Sequence, residues 1–389
     1  MGVLSIIQIL VWVVYGLCLG FVFLYSLIQL QLTWLYLRSK RKNTNNTQKE
    51  PDIGIWPAVT VQLPIFNEIY VAERLIDAVM AFDYPTDKLQ VQVLDDSTDE
   101  TKEITANRVR YYQSKGKNIR FIHRTNRSGY KAGALQEALP AATGTFIAIF
   151  DADFLPNPDF LKVVLSSFSA PDIGVVQTRW AHLNSNYSLL TRLQAFALDA
   201  HFTIEQTGRN TGGHFINFNG TAGVWRKDCI LDAGGWQSDT LTEDLDLSYR
   251  AQLRNWKFKY MEHIEAPAEL PAAMPALKSQ QFRWTKGAAE TARKNLGQVL
   301  RSHHPAGTKL NGLFHLLNSS VFICVLLAGL LSIPVLIMNH QVNSIWSGFL
   351  QFRAMFLVSL ISLVSFYGVA YWQATPTGHR SIFKFIVNF

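Results

Sequence analysis

Asp151 and Asp153 close an apolar run, Thr145-Phe-Ile-Ala-Ile-Phe-Asp-Ala-Asp153, the most chemically pointed stretch of the chain. Carboxylates at i and i+2 project to one side of a strand. At the strand's open end such a pair suits a hard divalent cation that also bridges two phosphates. A reaction that expels a diphosphate needs that arrangement, because negative charge builds on the leaving oxygens as the bond breaks. An isolated Asp-x-Asp is as readily a solvated pair in the turn before Pro156, so the other polar groups must decide. Asp95 and Asp96 follow Val91-Gln-Val-Leu, and Glu243, Asp244 and Asp246 crowd together in Thr242-Glu-Asp-Leu-Asp. Acids this close repel, which raises the pKa of one of them and suits it to take a proton from a hydroxyl. Lys131 offers a phosphate a point charge. Arg283 offers a planar fork that matches a diphosphate, Gln280 precedes it by one helical turn, and Trp284 presents a flat apolar surface. Each has a plainer alternative. Asp96-Ser-Thr can cap a helix, Phe66 can be core packing, Lys131 a solvated surface lysine, and Trp284 part of an amphipathic helix at a membrane surface. His263 reads as an ordinary polar residue after a strand.

The elements that must position these groups alternate in kind. β-Branched apolar runs predict strands at 58–63, 89–94, 119–123 and 145–150, and helical patterns fill 67–82, 101–115 and 131–139. Such alternation implies an α/β domain with a parallel sheet of the nucleotide-binding, Rossmann-like kind, where ligands sit beyond the carboxyl ends of the strands. Pro64, Phe66 and Glu68 follow the first strand, residues 95–99 the second, and Asp151 and Asp153 the fourth. The second half is less regular. It predicts a strand at 175–178, a helix at 188–206, glycine-rich turns at Gly212-Gly213 and Asn219-Gly-Thr-Ala-Gly223, a helix at 245–255 and a strand at 257–261. A helix at 277–300 carries both basic and apolar residues.

Of 389 residues, 48% are hydrophobic and only 17% charged, and the apolar residues are unevenly spread. Residues 1–37, 310–352 and 354–379 hold no Asp, Glu, Lys or Arg, and each stretch exceeds the roughly 20 residues that cross a bilayer. The first is not expected to be a secretory signal, since it lacks a basic leading region and a small-residue cleavage site. Arg38-Ser-Lys-Arg-Lys42 follows it, and by the positive-inside rule that cluster stays cytoplasmic. The expected order is a transmembrane helix (1–37), a basic linker (38–57), a cytoplasmic domain (58–300, its last helix lying at the membrane interface), and a region at 301–389 with spans near 313–338 and 354–372. The net charge of +7 fits anionic headgroups or an anionic substrate, whereas nucleic acid would call for a basic-aromatic stripe or finger spacing that the chain lacks. Three cysteines in no metal-binding spacing exclude a disulfide framework.

Five signatures in order, Asp95-Asp96-Ser97, Lys131-Ala-Gly133, Asp151-x-Asp153, Thr242-Glu243-Asp244 and Gln280-x-x-Arg283-Trp284, resemble the processive branch of family 2 inverting glycosyltransferases, the group of cellulose, chitin and hyaluronan synthases. The runs Val91-Gln-Val-Leu-Asp-Asp-Ser-Thr-Asp99, Asn219-Gly-Thr-Ala-Gly-Val-Trp-Arg226 and Gln280-Gln-Phe-Arg-Trp284 look like its cellulose synthase-like glucomannan and glucan synthases. The resemblance covers about residues 58–300 and implies a GT-A-type nucleotide-sugar-binding domain inserted between transmembrane helices. It implies Mg2+ or Mn2+ at Asp151 and Asp153. Donor contacts would come from Pro64, Phe66, Glu68, Asp95, Asp96, Lys131, Asp151 and Arg283, acceptor contacts from Gln280 and Trp284, and a general base from Asp244, with Glu243 and Asp246 as nearby competitors. The donor would be UDP-glucose or GDP-mannose, with a slight lean to glucose, and the acceptor a growing β-glycan. Members of the family carry further spans after the third, so a truncated channel region is expected. The implied setting is the cell (inner) membrane, as a multi-pass protein.

Two other readings stay open at this level. A single-transfer enzyme that makes a glycolipid or polyprenyl-phosphate sugar shares the Gln-x-x-Arg-Trp run. A catalytically inactive membrane adaptor that binds nucleotide sugar or glycan would need no intact set of acids.

Overall fold

The computed structural model describes residues 3–43, 55–340 and 346–389. Helix α1 (Val3–Asn43) is 41 residues long, or about 60 Å at 1.5 Å per residue, roughly twice the hydrocarbon thickness of a bilayer. Ile6, Leu10, Val13 and Leu17 are exposed along its first half, while Ile28, Gln29, Leu32, Thr33 and Tyr36 are buried in its second. The linker expected from residue 38 starts later. The helix continues through the basic cluster because Arg and Lys are good helix formers and Lys40 pairs with Glu262 at 3.1 Å. Residues 44–54 of that expected linker lie outside the described residues.

The domain runs β1 (Val59–Ile65), α2 (Ala72–Met80), β2 (Leu89–Asp95), α3 (Thr101–Ser114), β3 (Ile119–His123), α4 (Tyr130–Ala138), β4 (Phe146–Ile149), α5 (Phe160–Ser166) and β5 (Ile173–His182). It continues through α6 (Leu189–Ala200), a π turn (His201–Glu205), α7 (Gln206–Gly212), β6 (Gly223–Arg226), α8 (Lys227–Asp232), α9 (Glu243–Leu253), β7 (Lys257–Ala268) and α10 (Met274–Arg301). Seven strands form one sheet in the order β3-β2-β1-β4-β6-β5-β7. It is mixed rather than parallel, because β6 runs antiparallel to both β4 and β5. That strand is only four residues long and starts on a glycine, too short to carry a periodic signal.

Side chains alternate between the two faces of the sheet. Val61, Leu63, Val93 and Ala148 join Leu75, Phe150 and Phe160 in one core, and Ile147, Ile149, Val175 and Trp225 join Leu135 and Trp236 in the other. Polar residues alternate with apolar ones in β2, yet they do not mark a solvated face. Gln90 and Gln92 are buried and pair with β1, Thr60 donating to Gln90 at 2.7 Å and Gln62 to Gln92 at 3.0 Å.

Among the described residues, three helices are long and apolar enough to cross a membrane: α1, α12 (Ser320–His340) and α13 (Trp346–Ala374). The span read from residue 313 is split, because α11 (Ala306–Leu316) buries Asn311 and His315 in the domain and ends before α12 begins. Ser319 in the break donates to the Thr285 carbonyl at 3.1 Å. Helix α1 packs on α12 and α13, and a last short helix, α14 (Ile382–Asn388), lays Phe385 against Tyr371.

Candidate active site

The site forms where β1, β2 and β4 end side by side. The Asp96 amide donates to the Ile65 carbonyl at 3.0 Å. Asn67 turns the chain with φ 54°, its amide donating to Ser97 Oγ at 2.9 Å and its side-chain oxygen accepting from the Thr98 amide at 2.9 Å. This leaves Phe66 half-buried beside the cleft with the Arg127 guanidinium 3.2 Å from its ring centroid. Burial lowers the pKa of Arg127, opposed by the charge of Asp96. Pro64, expected just past the first strand, belongs to it. It lies inside β1 in register with Leu94, since the strand runs two residues further than its β-branched run. Glu68 stands past that turn, its carboxyl pushed up by desolvation and by the charge of Asp151.

Asp95 and Asp96 reach the ends of the strands, but both are engaged. Asp95 is wholly buried, with Oδ2 2.7 Å from His123 Nδ1, and its other oxygen has no partner. Asp96 accepts from Arg124 Nε at 2.7 Å and from Nη2 at 2.5 Å. These paired carboxylates brace the floor of the cleft.

Lys131 ties the rest together. At the start of α4, its Nζ donates to Asp151 Oδ1 at 2.5 Å and to the Gly220 carbonyl at 2.9 Å. Burial lowers its pKa, but the charges of Asp151, Glu243 and Asp244 outweigh that and raise it. Gly220 has φ +81°, and a Cβ there would sit 3.2 Å from Asp244 Oδ2 and 3.4 Å from Lys131 Nζ, so the site needs glycine. Acids from two distant parts of the chain therefore meet around one ammonium group. Asp151 and Asp153 lie in a turn rather than on the strand itself, since β4 stops at Ile149. The Asp151 amide donates to Thr221 Oγ1 at 2.9 Å. Burial and the charge of Asp151 push Asp153 up to about 7.

Asp244 belongs to the first turn of α9, where its Oδ1 accepts from the Leu245 amide at 2.8 Å. Burial, then the neighbouring Glu243 charge, push Asp244 up to about 7, and burial raises Glu243 as well. Asp246 is different. It is wholly buried and accepts from Arg250 at 2.8 Å, Lys294 at 3.0 Å and Asn295 at 2.9 Å, which removes it as a competing base. Helix α10 backs this turn so closely that a Cβ on Gly287 would come within 2.6 Å of Thr242.

Arg283 on α10 is exposed, and its charge reaches both Glu243 and Arg127. Gln280 is half-buried one turn earlier. Trp284 does not face lipid alone. Its ring lies 6.5 Å from Trp180, which packs on Phe202 and Phe154 at 4.9 and 5.3 Å, forming an aromatic row. His263 is exposed on β7, as an ordinary polar residue would be.

Among the described residues, no three His, Cys, Asp or Glu side chains gather closely enough to hold a metal ion. The donor set at Asp151 and Asp153 nevertheless fits one. It consists of hard carboxylate oxygens, and Asp153 is raised to about 7 while the direct ion pair of Lys131 is with Asp151. Sequence reasoning missed Arg124, Arg127 and Trp180. Only the density of basic and aromatic residues near the motifs hinted at them.

Residues 57–287 match the family described as glycosyltransferase like family 2. The chain is 39% identical over 331 residues to glucomannan 4-beta-mannosyltransferase 7 of Arabidopsis thaliana, covering 82% of this chain and 59% of that one. It is 43% identical over 260 residues to glucomannan 4-beta-mannosyltransferase 1 of Oryza sativa subsp. japonica, covering 65% and 50%. The chain thus spans between half and six-tenths of the length of these relatives. In fold it is similar to a mannosyltransferase of Pyrobaculum calidifontis solved with GDP-Man and Mn2+, at TM-score 0.60 and 19% identity, covering 92% of this chain and all of that one. The strand-end cleft, the acids around Lys131 and the extent of the family match agree: the chain belongs to glycosyltransferase-like family 2, with relatives among the glucomannan synthases.

Proposed function

We propose that this protein transfers mannose from GDP-mannose to the end of a growing β-linked glycan, with inversion, at the cytoplasmic face of a membrane. The observation that carries the reading is the convergence of Asp151, Lys131, Gly220 and Asp244 at one point. The relatives are named for mannosyl transfer and a structural neighbour holds GDP-Man. The lean to glucose finds no support among them.

Asp244 accepts the proton of an acceptor hydroxyl as that oxygen bonds to the sugar's anomeric carbon, and the bond from that carbon to the diphosphate breaks on the opposite face. Its raised pKa makes it a competent base near neutrality. Glu243 keeps that pKa up, and Lys131 holds the turn and offers positive charge to the leaving group. Arg283, on the facing helix, presents its fork to the diphosphate. Asp151 and Asp153 would hold Mg2+ or Mn2+, which when bound neutralises charge on the departing diphosphate. Phe66 and Arg127 frame the nucleobase, and the Trp284–Trp180 row receives the sugar ring of the acceptor. An adaptor would have no use for buried acids held at raised pKa.

The test is to incubate the membrane-inserted protein with labelled GDP-mannose or UDP-glucose and Mg2+ or Mn2+, then size the product. Polymeric mannan from GDP-mannose is expected. Product confined to lipid-soluble monosaccharide adducts would point to single transfer, and turnover of UDP-glucose alone would overturn the donor.

A further inference from the structure

The helix formed by α6 and α7 is interrupted by the π turn His201–Glu205, a distortion common at functional positions. Here it gathers polar groups that the transfer chemistry does not use. Gln29 of α1 donates from Nε2 to Glu205 Oε1 at 2.5 Å. His201 Nδ1 lies 2.7 Å from Glu205 Oε2, and its Nε2 lies 3.3 Å from Asn219 Oδ1. Asn219 Oδ1 also accepts from Gln206 at 3.2 Å and from Asn217 at 2.6 Å. Two other donors converge on that oxygen, which fixes it as the carbonyl of the amide. His201 therefore faces a carboxylate oxygen at one ring nitrogen and an amide carbonyl at the other. Desolvation would raise Glu205, but hydrogen bonding and charge from His201, with Arg209 and Gln29, hold it down at about 2.

Asn219 is followed directly by Gly220, whose carbonyl accepts from Lys131 and whose Cα faces Asp244. Hydrogen bonds on either side of the Asn219-Gly220 backbone thus link α1 to the acids of the site. The link passes through Gln29, Glu205, His201, the Asn219-Gly220 turn and Lys131 to Asp151.

We propose that Glu205 is a positioning residue. It clamps His201 onto the Asn219-Gly220 turn and anchors that turn to α1, so that the membrane helix sets the placement of Lys131 and Asp244. The proposal deepens the transferase reading and rests on it for its kinetic consequence. Its structural consequence stands apart from activity.

The test compares wild type with Glu205→Gln, which keeps the shape but loses the charge, and with Gln29→Leu, which cuts only the link to α1. Amide hydrogen exchange in the 216–222 segment should quicken in both variants. In Glu205→Gln, kcat should fall about tenfold or more, the scale seen when a partner that orients a functional group is removed, with donor KM within about twofold. Unchanged exchange in that segment overturns the proposal, whether or not the wild type is active. So does wild-type kcat per folded molecule in Glu205→Gln, or a loss confined to donor KM. Wild-type protein that releases no GDP from GDP-mannose would instead sink the transferase reading, and the exchange result would still judge the clamp.

Discussion

Asp95, Asp96 and Asp246 form one set of acids, buried, and the half-buried Asp153, Glu243 and Asp244 form another, with Asp244 and Asp246 only two residues apart in the chain. In the first set each carboxylate has a basic partner: His123, Arg124, and Arg250 with Lys294. In the second burial is the largest influence, followed by another acid at Asp153 and Asp244 and by the opposing Lys131 charge at Glu243, and all three carboxyls are raised. Asp151 stands between the sets, with Lys131 as partner on one side and Asp153 on the other. The contrast separates groups that hold the fold from groups left short of positive charge. The site is electrostatically incomplete until ligands bring that charge, and such strain commonly accompanies function.

The contrast is sharpest at two residues of one helix turn. Asp244→Asn should lower turnover by ~10²–10⁴-fold, as loss of a general base does, while raising the melting temperature near neutral pH, because a carboxylate held at a raised pKa is costly there. Asp246→Asn should do the reverse. Removing one member of a buried ion pair costs about 3–5 kcal/mol of stability, whereas turnover per folded molecule should stay near wild type. Thermal melts with GDP release measure both, and matching behaviour of the two variants would erase the distinction.

The same contrast predicts the response to pH. Asp244 is pushed up to about 7, so kcat/KM should rise with pH through an acidic limb near 7 rather than near 4. For stability the sign is opposite. The folded carboxyl binds a proton more tightly than the unfolded one, so stability without ligands should be greatest below about pH 4 for this group and be lost as pH rises through 7. Asp244→Asn should flatten that slope, and a wild-type melting temperature that climbs steadily from pH 5 to pH 8 would contradict the assignment. The smallest effect is expected at Arg127. Arg127→Ala should weaken GDP binding roughly fivefold, the scale of a partly exposed cation–π contact, with kcat unchanged.

The acids, their order and the strand ends that carry them were legible in the sequence, because alternating apolar runs and short motifs are local signals. The partners that tell the two sets apart were not. Lys294 and Asn295 lie 48 and 49 residues from Asp246, and Arg124 lies 28 from Asp96. Only the assembled sheet and the packing of α9 on α10 bring them together, so in the sequence Asp246 stood as a competitor to Asp244. The clamp at His201 and Glu205 was invisible for the same reason, since Gln29 is 176 residues from Glu205 and reads from sequence as one polar residue in an apolar helix. The antiparallel β6 was missed because it takes its direction from neighbours on both sides.

The glycine at 287 has a mechanical consequence. With no side chain between them, the backbones of α9 and α10 touch where Thr242 leads into the acids, and the hydroxyls of Thr242 and Thr291 meet at 3.1 Å. Close packing at this one point ties the position of Arg283, four residues before Gly287 on α10, to that of Asp244, two residues after Thr242 on α9.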